Sequence, residues 1–340
     1  MPDPGLAAWV QRMPKVELHV HLEGSIRPQT LAELAERNQV DLPAGVAAIY
    51  NFSDFPGFLE AYMRCAACLC TQEDFERVTY EFLADEAAQG IRYCEAFLSS
   101  MQHLQRDFDF ECIMRGIQAG YQQARDEYGI RMGVIFDHGR QFGTTAGLEV
   151  LERALATRHF GVIGLSIGGD EVNYPPELFA ELFRRAREAG LRLTAHAGEV
   201  CGPGSVWGAI RTLGVSRVGH GIHAIEDPAL LEYLRGGEIY LDICPTSNLR
   251  TGAVPSLQAH PVRRLFDAGV PITLSSDDPA LFQTNLVEEY LLLAECFSFT
   301  REELWQISLN GVRASFLPVE EKATLERDFR EALASPPEPA

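Results

Sequence analysis

The chain holds 340 residues, 46% of them hydrophobic, and carries a formal net charge of −19 from 48 acidic against 29 basic side chains. That fraction supports a large buried core, and so acidic a surface repels phosphate backbones, which excludes nucleic acid as an expected partner. No apolar run is long enough to span a bilayer, so no membrane is expected either.

Met1-Pro2-Asp3-Pro4 shows no charged-then-apolar leader pattern. Eight cysteines are scattered through the chain, several inside apolar segments. That suits reduced thiols in a cytoplasmic protein better than a disulfide frame. Cys65, Cys68 and Cys70 lie in a helical stretch without a second pair at zinc-ribbon spacing, so they read as small core residues, with a structural zinc as the lesser alternative.

Residues 5–12 read as a short helix leading into a first strand that starts at Lys15 and closes at Gly24. Within it, His19 and His21 share one face and Val20 points the other way, because side chains alternate along a strand. Helical spacing of apolar residues follows Pro28. Residues 41–72 are irregular and then helical, and gather Phe52, Phe55, Phe58 and Tyr62. Such a run usually packs; the other reading is an apolar lid over a small molecule.

A helix over 73–89 is capped by Gly90, and a second strand covers 91–97. A helix over 110–128 ends at Gly129, a third strand covers 130–137, and a helix covers 145–156. A fourth strand over 161–167 runs into Gly168-Gly169-Asp170-Glu171. After a helix over 176–189, a fifth strand over 191–196 ends in His196-Ala197-Gly198-Glu199. A helix over 204–213 precedes a sixth strand over 217–221, which carries His220. A helix over 227–235, a seventh strand over 238–244, a helix over 260–268 and an eighth strand over 271–276 complete the series. Helices over 286–296 and 301–314 follow, and residues 335–340 read as a disordered Pro-rich tail behind one domain over 1–334.

Eight strands alternating with helices point to an α/β fold, a single (β/α)8 TIM barrel with extra helices. An open doubly wound sheet is the runner-up, and the lack of a Gly-rich dinucleotide fingerprint weakens it. In a barrel the strand C-termini converge on one face, where active sites sit. Four of the nine histidines, His19, His21, His196 and His220, fall at those ends, with Asp277-Asp278 after strand eight. Three imidazoles and a carboxylate suit Zn²⁺ with a place left for water, whose pKa the ion lowers to near ~7. Glu199, among apolar and glycine neighbours, can have a raised pKa and shuttle protons. The pattern reads as metal-assisted attack of hydroxide on an electrophilic carbon.

Five motifs occur in order: His19-Val20-His21-Leu22-Glu23-Gly24, Gly168-Gly169-Asp170-Glu171, His196-Ala197-Gly198-Glu199, Gly219-His220-Gly221 and Ser276-Asp277-Asp278-Pro279. Together they resemble the adenosine deaminase family of the metal-dependent amidohydrolase superfamily, from about Pro14 to Leu317. The resemblance implies one Zn²⁺ per chain held by His19, His21, His196 and Asp277. It implies Glu199 as the acid that protonates N1 of a 6-aminopurine, and His220 as the group that orients and helps deprotonate the water. His21, Glu23, Gly169 and Asp278 would bind substrate, Gly169 at N3 and Asp278 at N7. The best-known members carry aspartate where Glu23 stands, as a contact to the ribose 5′-hydroxyl. The Gly-Gly-Asp-Glu loop leans towards a nucleoside. Adenosine or deoxyadenosine therefore stands first, 6-aminodeoxyfutalosine next and free adenine third. Two-metal hydrolases on this barrel usually bridge their ions with a modified lysine or a glutamate, and the fourth and fifth strand ends supply no lysine, which argues for a single metal. A non-catalytic purine binder would have lost a ligand or the acid, and neither is lost.

His223 reads as a loop residue, His138 as pocket or surface, and His103, His159 and His260 as structural. Cys201 lacks a base to make it a nucleophile. Glu171 reads as a support for its loop, and Asp242 and Thr246 as partners behind the metal histidines.

Overall fold

A computed structural model describes residues 3–42, 44–106 and 108–334. The tail expected over 335–340 and the first two residues lie outside the described residues. Eight parallel strands lie side by side in sequence order. They are β1 (Lys15–His21), β2 (Ile91–Ser99), β3 (Arg131–Gly139), β4 (Val162–Gly168), β5 (Arg192–Ala197), β6 (Arg217–His220), β7 (Tyr240–Ile243) and β8 (Ile272–Leu274). The cylinder closes just beyond β8. Asp277 N–H donates to the His19 carbonyl at 3.1 Å, and His21 N–H donates to the Asp277 carbonyl at 2.8 Å. Helices pack around the strands, so this is a (β/α)8 barrel, as the alternation of elements predicts.

Two helices show why the sequence stops and starts where it does. The helix Gln72–Ala88 begins with a capping box between Thr71 and Asp74, and Arg301–Ala314 begins with another between Thr300 and Glu303. Gly129, at φ +72, ends the helix Phe110–Tyr128 in the left-handed conformation that glycine adopts without cost.

Several boundaries differ from the expected ones. The seventh and eighth strands are shorter than 238–244 and 271–276. The helix expected over 176–189 divides into a 3₁₀ turn, Pro176–Phe179, and an α-helix, Ala180–Glu188. That over 204–213 becomes Pro203–Gly208 followed by a π turn, Ala209–Leu213. Ser100–Leu104, Pro245–Arg250, Pro279–Phe282 and Val319–Ala334 are helices the periodicity does not reveal. The first three span a turn or little more, too short for a 3.6-residue repeat to register. The fourth is dominated by charged residues and buries chiefly Leu325 and Phe329.

The barrel interior is polar beneath its mouth. Arg217 is fully buried and pairs with Glu95 at 2.6 Å and Asp242 at 2.7 Å. It also donates to the Leu18 carbonyl at 3.1 Å, which ties this layer to the strand carrying His19. Breaking such a buried pair leaves uncompensated charge and costs on the order of 3–5 kcal/mol. Among the described residues no helix is long and apolar enough to cross a membrane.

Candidate active site

β1 delivers His19 and His21 to the mouth, with ring centroids 5.6 Å apart. β5 brings His196 to 4.5 Å from His19. Gly219 faces His196 across the β5–β6 register, and a Cβ on it would lie 2.6 Å from His19 Cε1. Only glycine there lets the first imidazole rest against β6. Asp277 completes the group from beyond β8. Its φ of +67 is unusual for a residue with a side chain, and the two closure hydrogen bonds hold it there.

The four side chains fit a metal ion. Nε2 of His19 and Nε2 of His21 lie 3.4 and 3.3 Å from Oδ1 of Asp277. Ligands ~2.1 Å from a tetrahedral ion stand roughly 3.4 Å from one another. One donor atom from each of His19, His21, His196 and Asp277 lies within 4.8 Å of all the others. His19 Nε2 is buried without a hydrogen-bond partner, as befits an atom aimed at an ion. The Ile167 carbonyl sits 3.1 Å from His196 Nδ1, so that nitrogen carries the proton and Nε2 keeps a lone pair. The Ser247 hydroxyl donates to Asp277 Oδ2 at 2.6 Å and leaves Oδ1 towards the imidazoles.

Protonation agrees with ligation. Burial, reinforced by the field of His196, holds the His19 pKa well below the ordinary histidine value, and burial lowers that of His21. Burial works against the Asp277 carboxylate, but the neighbouring imidazoles of His19, His220 and His21 outweigh it and keep the group ionised. A second set, His220, Cys244 and Asp277, also falls within ligand reach. Burial raises the Cys244 thiol pKa well above its usual value, which makes it the poorer site.

Glu199 stands on the loop after β5, its Oε2 3.7 Å from His220 Nε2. Burial, then the negative field of Asp277, pushes its pKa up to about 8. At neutral pH it is a neutral acid with a proton to give. Its loop is clamped by Glu171, which accepts from four successive N–H groups, those of Gly198, Glu199, Val200 and Cys201. From below, Arg140 donates to the His196 carbonyl.

Asp278 is buried, and burial together with the Asp277 and Glu23 carboxylates raises its pKa well above the usual aspartate range. A Cβ on Gly24 would overlap its carboxylate, which explains the glycine after Glu23. The cavity above the metal group has an inner wall of His21, Gly168, Gly169, His196, Glu199, His220, Asp277 and Asp278. Its outer wall includes Phe55, Phe58, Leu59, Tyr62, Ser99, Gln102, Gln141 and Thr251. The helix Phe55–Cys68 thus roofs the cavity while Phe58 also stacks on Phe282 at 4.9 Å, so both readings of the aromatic run hold at once.

Glu23 is placed differently from the other substrate-binding candidates. It is fully buried and does not line the cavity. Its Oε1 accepts from Ser99 N–H at 3.0 Å and faces His103 Nε2 at 2.9 Å, and its Oε2 accepts from Tyr62 at 3.1 Å. Burial opposes its charge, but hydrogen bonding and charge from His103 prevail and lower its pKa. Asp242 lies 3.9 Å from His19 Nδ1, behind the metal group, whereas Thr246 turns its N–H to Glu289. His138 is buried against the Gly143 carbonyl, not on the surface, and His223 pairs with Glu226 on its loop.

Sequence reasoning passed over Asp137, Ser247 and Asn248. Asp137, at the end of β3, lines the cavity, and its place at a strand C-terminus was the available signal. Ser247 and Asn248 sit on the short helix after β7, which no periodicity announces.

The family model for adenosine deaminase matches residues 14–332. An adenine deaminase of Caulobacter vibrioides is 37% identical over 324 residues, covering 93% of each chain. An adenosine deaminase of Shewanella loihica is 36% identical over 326 residues, covering 92% of this chain and 97% of its own. An amidohydrolase of Burkholderia ambifaria with bound Zn superposes with a TM-score of 0.92 at 30% identity, over 98% of this chain and 94% of that one.

Proposed function

This chain belongs to the adenosine deaminase family, hydrolytic deaminases of the metal-dependent amidohydrolase superfamily, and from that premise we propose that it deaminates a 6-aminopurine nucleoside, adenosine first, to the 6-oxopurine and ammonia. The observation that carries the reading is the place of Glu199, a carboxyl whose pKa burial raises to about 8, in a cavity lined by His21, His196 and Asp277, three of the four side chains that fit one ion. The zinc of the Burkholderia relative, together with this N/O donor set, favours Zn²⁺ in that place. When bound, a divalent ion supplies hydroxide at neutral pH.

The chain's own groups do the rest. C6 of an aminopurine is a poor electrophile until N1 is protonated, so Glu199 gives its proton there as the nucleophile adds. Asp278, held protonated by its surroundings, donates to N7, a ring nitrogen that only accepts. The Gly169 N–H donates to N3, and the Phe55–Phe58–Leu59 face excludes water. The Gly168-Gly169-Asp170-Glu171 loop, whose Gly168 and Gly169 line the cavity, is the feature that favours a nucleoside over the free base.

One observation favours a second reading. The Glu23 carboxylate stands behind the cavity wall, with both oxygens already engaged by Ser99, His103 and Tyr62, two of which line the cavity, so a 5′-hydroxyl gains no free carboxylate there. A nucleoside altered at its 5′ end, such as 6-aminodeoxyfutalosine, loses nothing by that arrangement. Seven similar relatives at 34–37% identity are named adenine deaminase and one at 36% adenosine deaminase, so resemblance leans towards the free base and the nucleoside reading rests on the site itself. The test is a panel of adenosine, 5′-deoxyadenosine, 6-aminodeoxyfutalosine and adenine, followed by the amino-to-oxopurine absorbance change. At least one nucleoside is expected to exceed adenine in kcat/KM. Adenine turned over faster than every nucleoside would overturn the nucleoside reading.

A further inference from the structure

His260 lies buried behind the site and touches none of the four metal-group side chains, yet it belongs to a chain of hydrogen bonds that ends at His220. The chain starts from a donor whose direction is fixed. The backbone N–H of Val262 donates to His260 Nδ1 at 3.1 Å. That nitrogen therefore holds a lone pair, and in the neutral ring the proton sits on Nε2. Burial keeps the ring neutral, with its pKa down at about 4. His260 Nε2 then donates to Asn248 Oδ1 at 3.1 Å, which sets the amide's orientation. The Asn248 NH₂ group consequently faces His220 Nδ1, also at 3.1 Å. An amide nitrogen can only donate, so His220 Nδ1 is bare and the His220 proton is on Nε2.

We propose that Asn248 and His260 are positioning residues that lock His220 as its Nε2–H tautomer, so that His220 holds the attacking oxygen by donating a hydrogen bond and is not the base that deprotonates it. Nε2 points into the site, 3.7 Å from Glu199 Oε2 and 3.9 Å from Asp277 Oδ2, beyond hydrogen-bond reach of either. It is free to donate to a reactant between them. A nitrogen that already carries a proton has no lone pair with which to accept another. The backbone agrees: His220 has φ +59, and that left-handed residue sets the ring between Asn248 and the cavity.

The kinetic arm of the test rests on the deaminase reading, but the spectroscopic arm does not. Two-bond ¹H–¹⁵N spectra of the full chain labelled with ¹⁵N-histidine, zinc-loaded and zinc-free, report which ring nitrogen of each histidine is protonated. The His220 signals are assigned by their loss in His220→Asn. The expected spectrum shows His220 with bare Nδ1 and protonated Nε2. In Asn248→Asp, which offers only acceptors, Nδ1 gains the proton, and kcat falls roughly tenfold to a hundredfold with KM and zinc content unchanged. His260→Gln restores a donor to Asn248 and keeps most of kcat, whereas His260→Leu frees the amide to turn and loses it. A wild-type spectrum with the proton on His220 Nδ1 overturns the proposal, even if no Asn248 or His260 variant folds. So does an Asn248→Asp enzyme of unchanged kcat, or equal rates for the two His260 variants. A wild-type protein inert towards every purine but showing the expected tautomer would sink the deaminase reading and leave the lock standing.

Discussion

Asp277 and His21 meet twice: the Asp277 carbonyl accepts from His21 N–H at 2.8 Å, and Asp277 Oδ1 lies 3.3 Å from His21 Nε2. One backbone pair closes the barrel and the same residues' side chains converge on the metal position. An ion bound there ties β1 to the end of β8, so its binding free energy adds to the stability of the closure. At a free concentration a hundredfold above its dissociation constant, that contribution is about 2.7 kcal/mol. Removing the metal with a chelator is therefore expected to lower Tm by several degrees. It should also speed amide exchange at His21 and Asp277 ahead of the barrel's far side. A Tm and an exchange pattern indifferent to the chelator would show that the four side chains hold no ion of consequence.

Ser247 sets which Asp277 oxygen is free. Without its 2.6 Å hydrogen bond the carboxylate can rotate, and Oδ2 is left partnerless in a buried place. Ser247→Ala is expected to weaken metal affinity by about 10- to 100-fold, the usual effect of losing a partner behind a ligand. Competition with a chromophoric chelator measures it directly. The fully loaded variant should turn over at close to the normal rate, because Ser247 touches no reacting atom.

The pH profile of kcat should follow Glu199. Its pKa is raised to about 8, so the proton it must donate is present below that value and lost as pH rises through it. The expected profile is therefore flat around neutrality and falls tenfold per unit well above pH 8. Glu199→Gln should keep zinc and fold but lose about 10²- to 10⁴-fold in kcat, with the alkaline limb gone from the residual rate. A profile that rises above pH 8, or a Gln variant of normal turnover, would remove Glu199 from the acid's role.

Much of this site could be read in the chain because barrel topology turns local pattern into proximity. His19-x-His21 needs only strand alternation, and His196, His220 and Asp277 need only to end strands. Glu23 escaped for the opposite reason. Whether a carboxylate faces substrate or is held by its own protein depends on Ser99, His103 and Tyr62, which come from two other segments. No spacing in the sequence encodes that meeting. His260 escaped likewise, since it acts through Asn248 on a helix of only six residues, Pro245–Arg250. Residues placed to hold an ion or to meet the reacting atoms follow from strand ends. Residues that orient them come from short connecting elements, where sequence periodicity has nothing to repeat.

Glu171 offers the sharpest separation of positioning from ligation. Its carboxylate gathers the N–H groups of Gly198, Glu199, Val200 and Cys201, and although burial opposes the charge, Ser205 and those N–H groups outweigh it and lower the pKa. It is therefore ionised throughout the neutral range. His196, two residues upstream of the clamp, is anchored independently by the Ile167 and Arg140 contacts. Glu171→Ala leaves the N–H groups without their acceptor, at about 1–3 kcal/mol for each one kept from water. The loop should then sample positions in which Glu199 no longer reaches N1. Glu171→Gln keeps the shape but turns an NH₂ towards donors, so only one oxygen can still accept. Both variants are expected to retain zinc near the wild-type level by metal analysis. Both should lose kcat far more than they raise KM, Gln less severely than Ala. If either lost zinc in proportion to activity, the clamp would be holding the metal ligand rather than the acid.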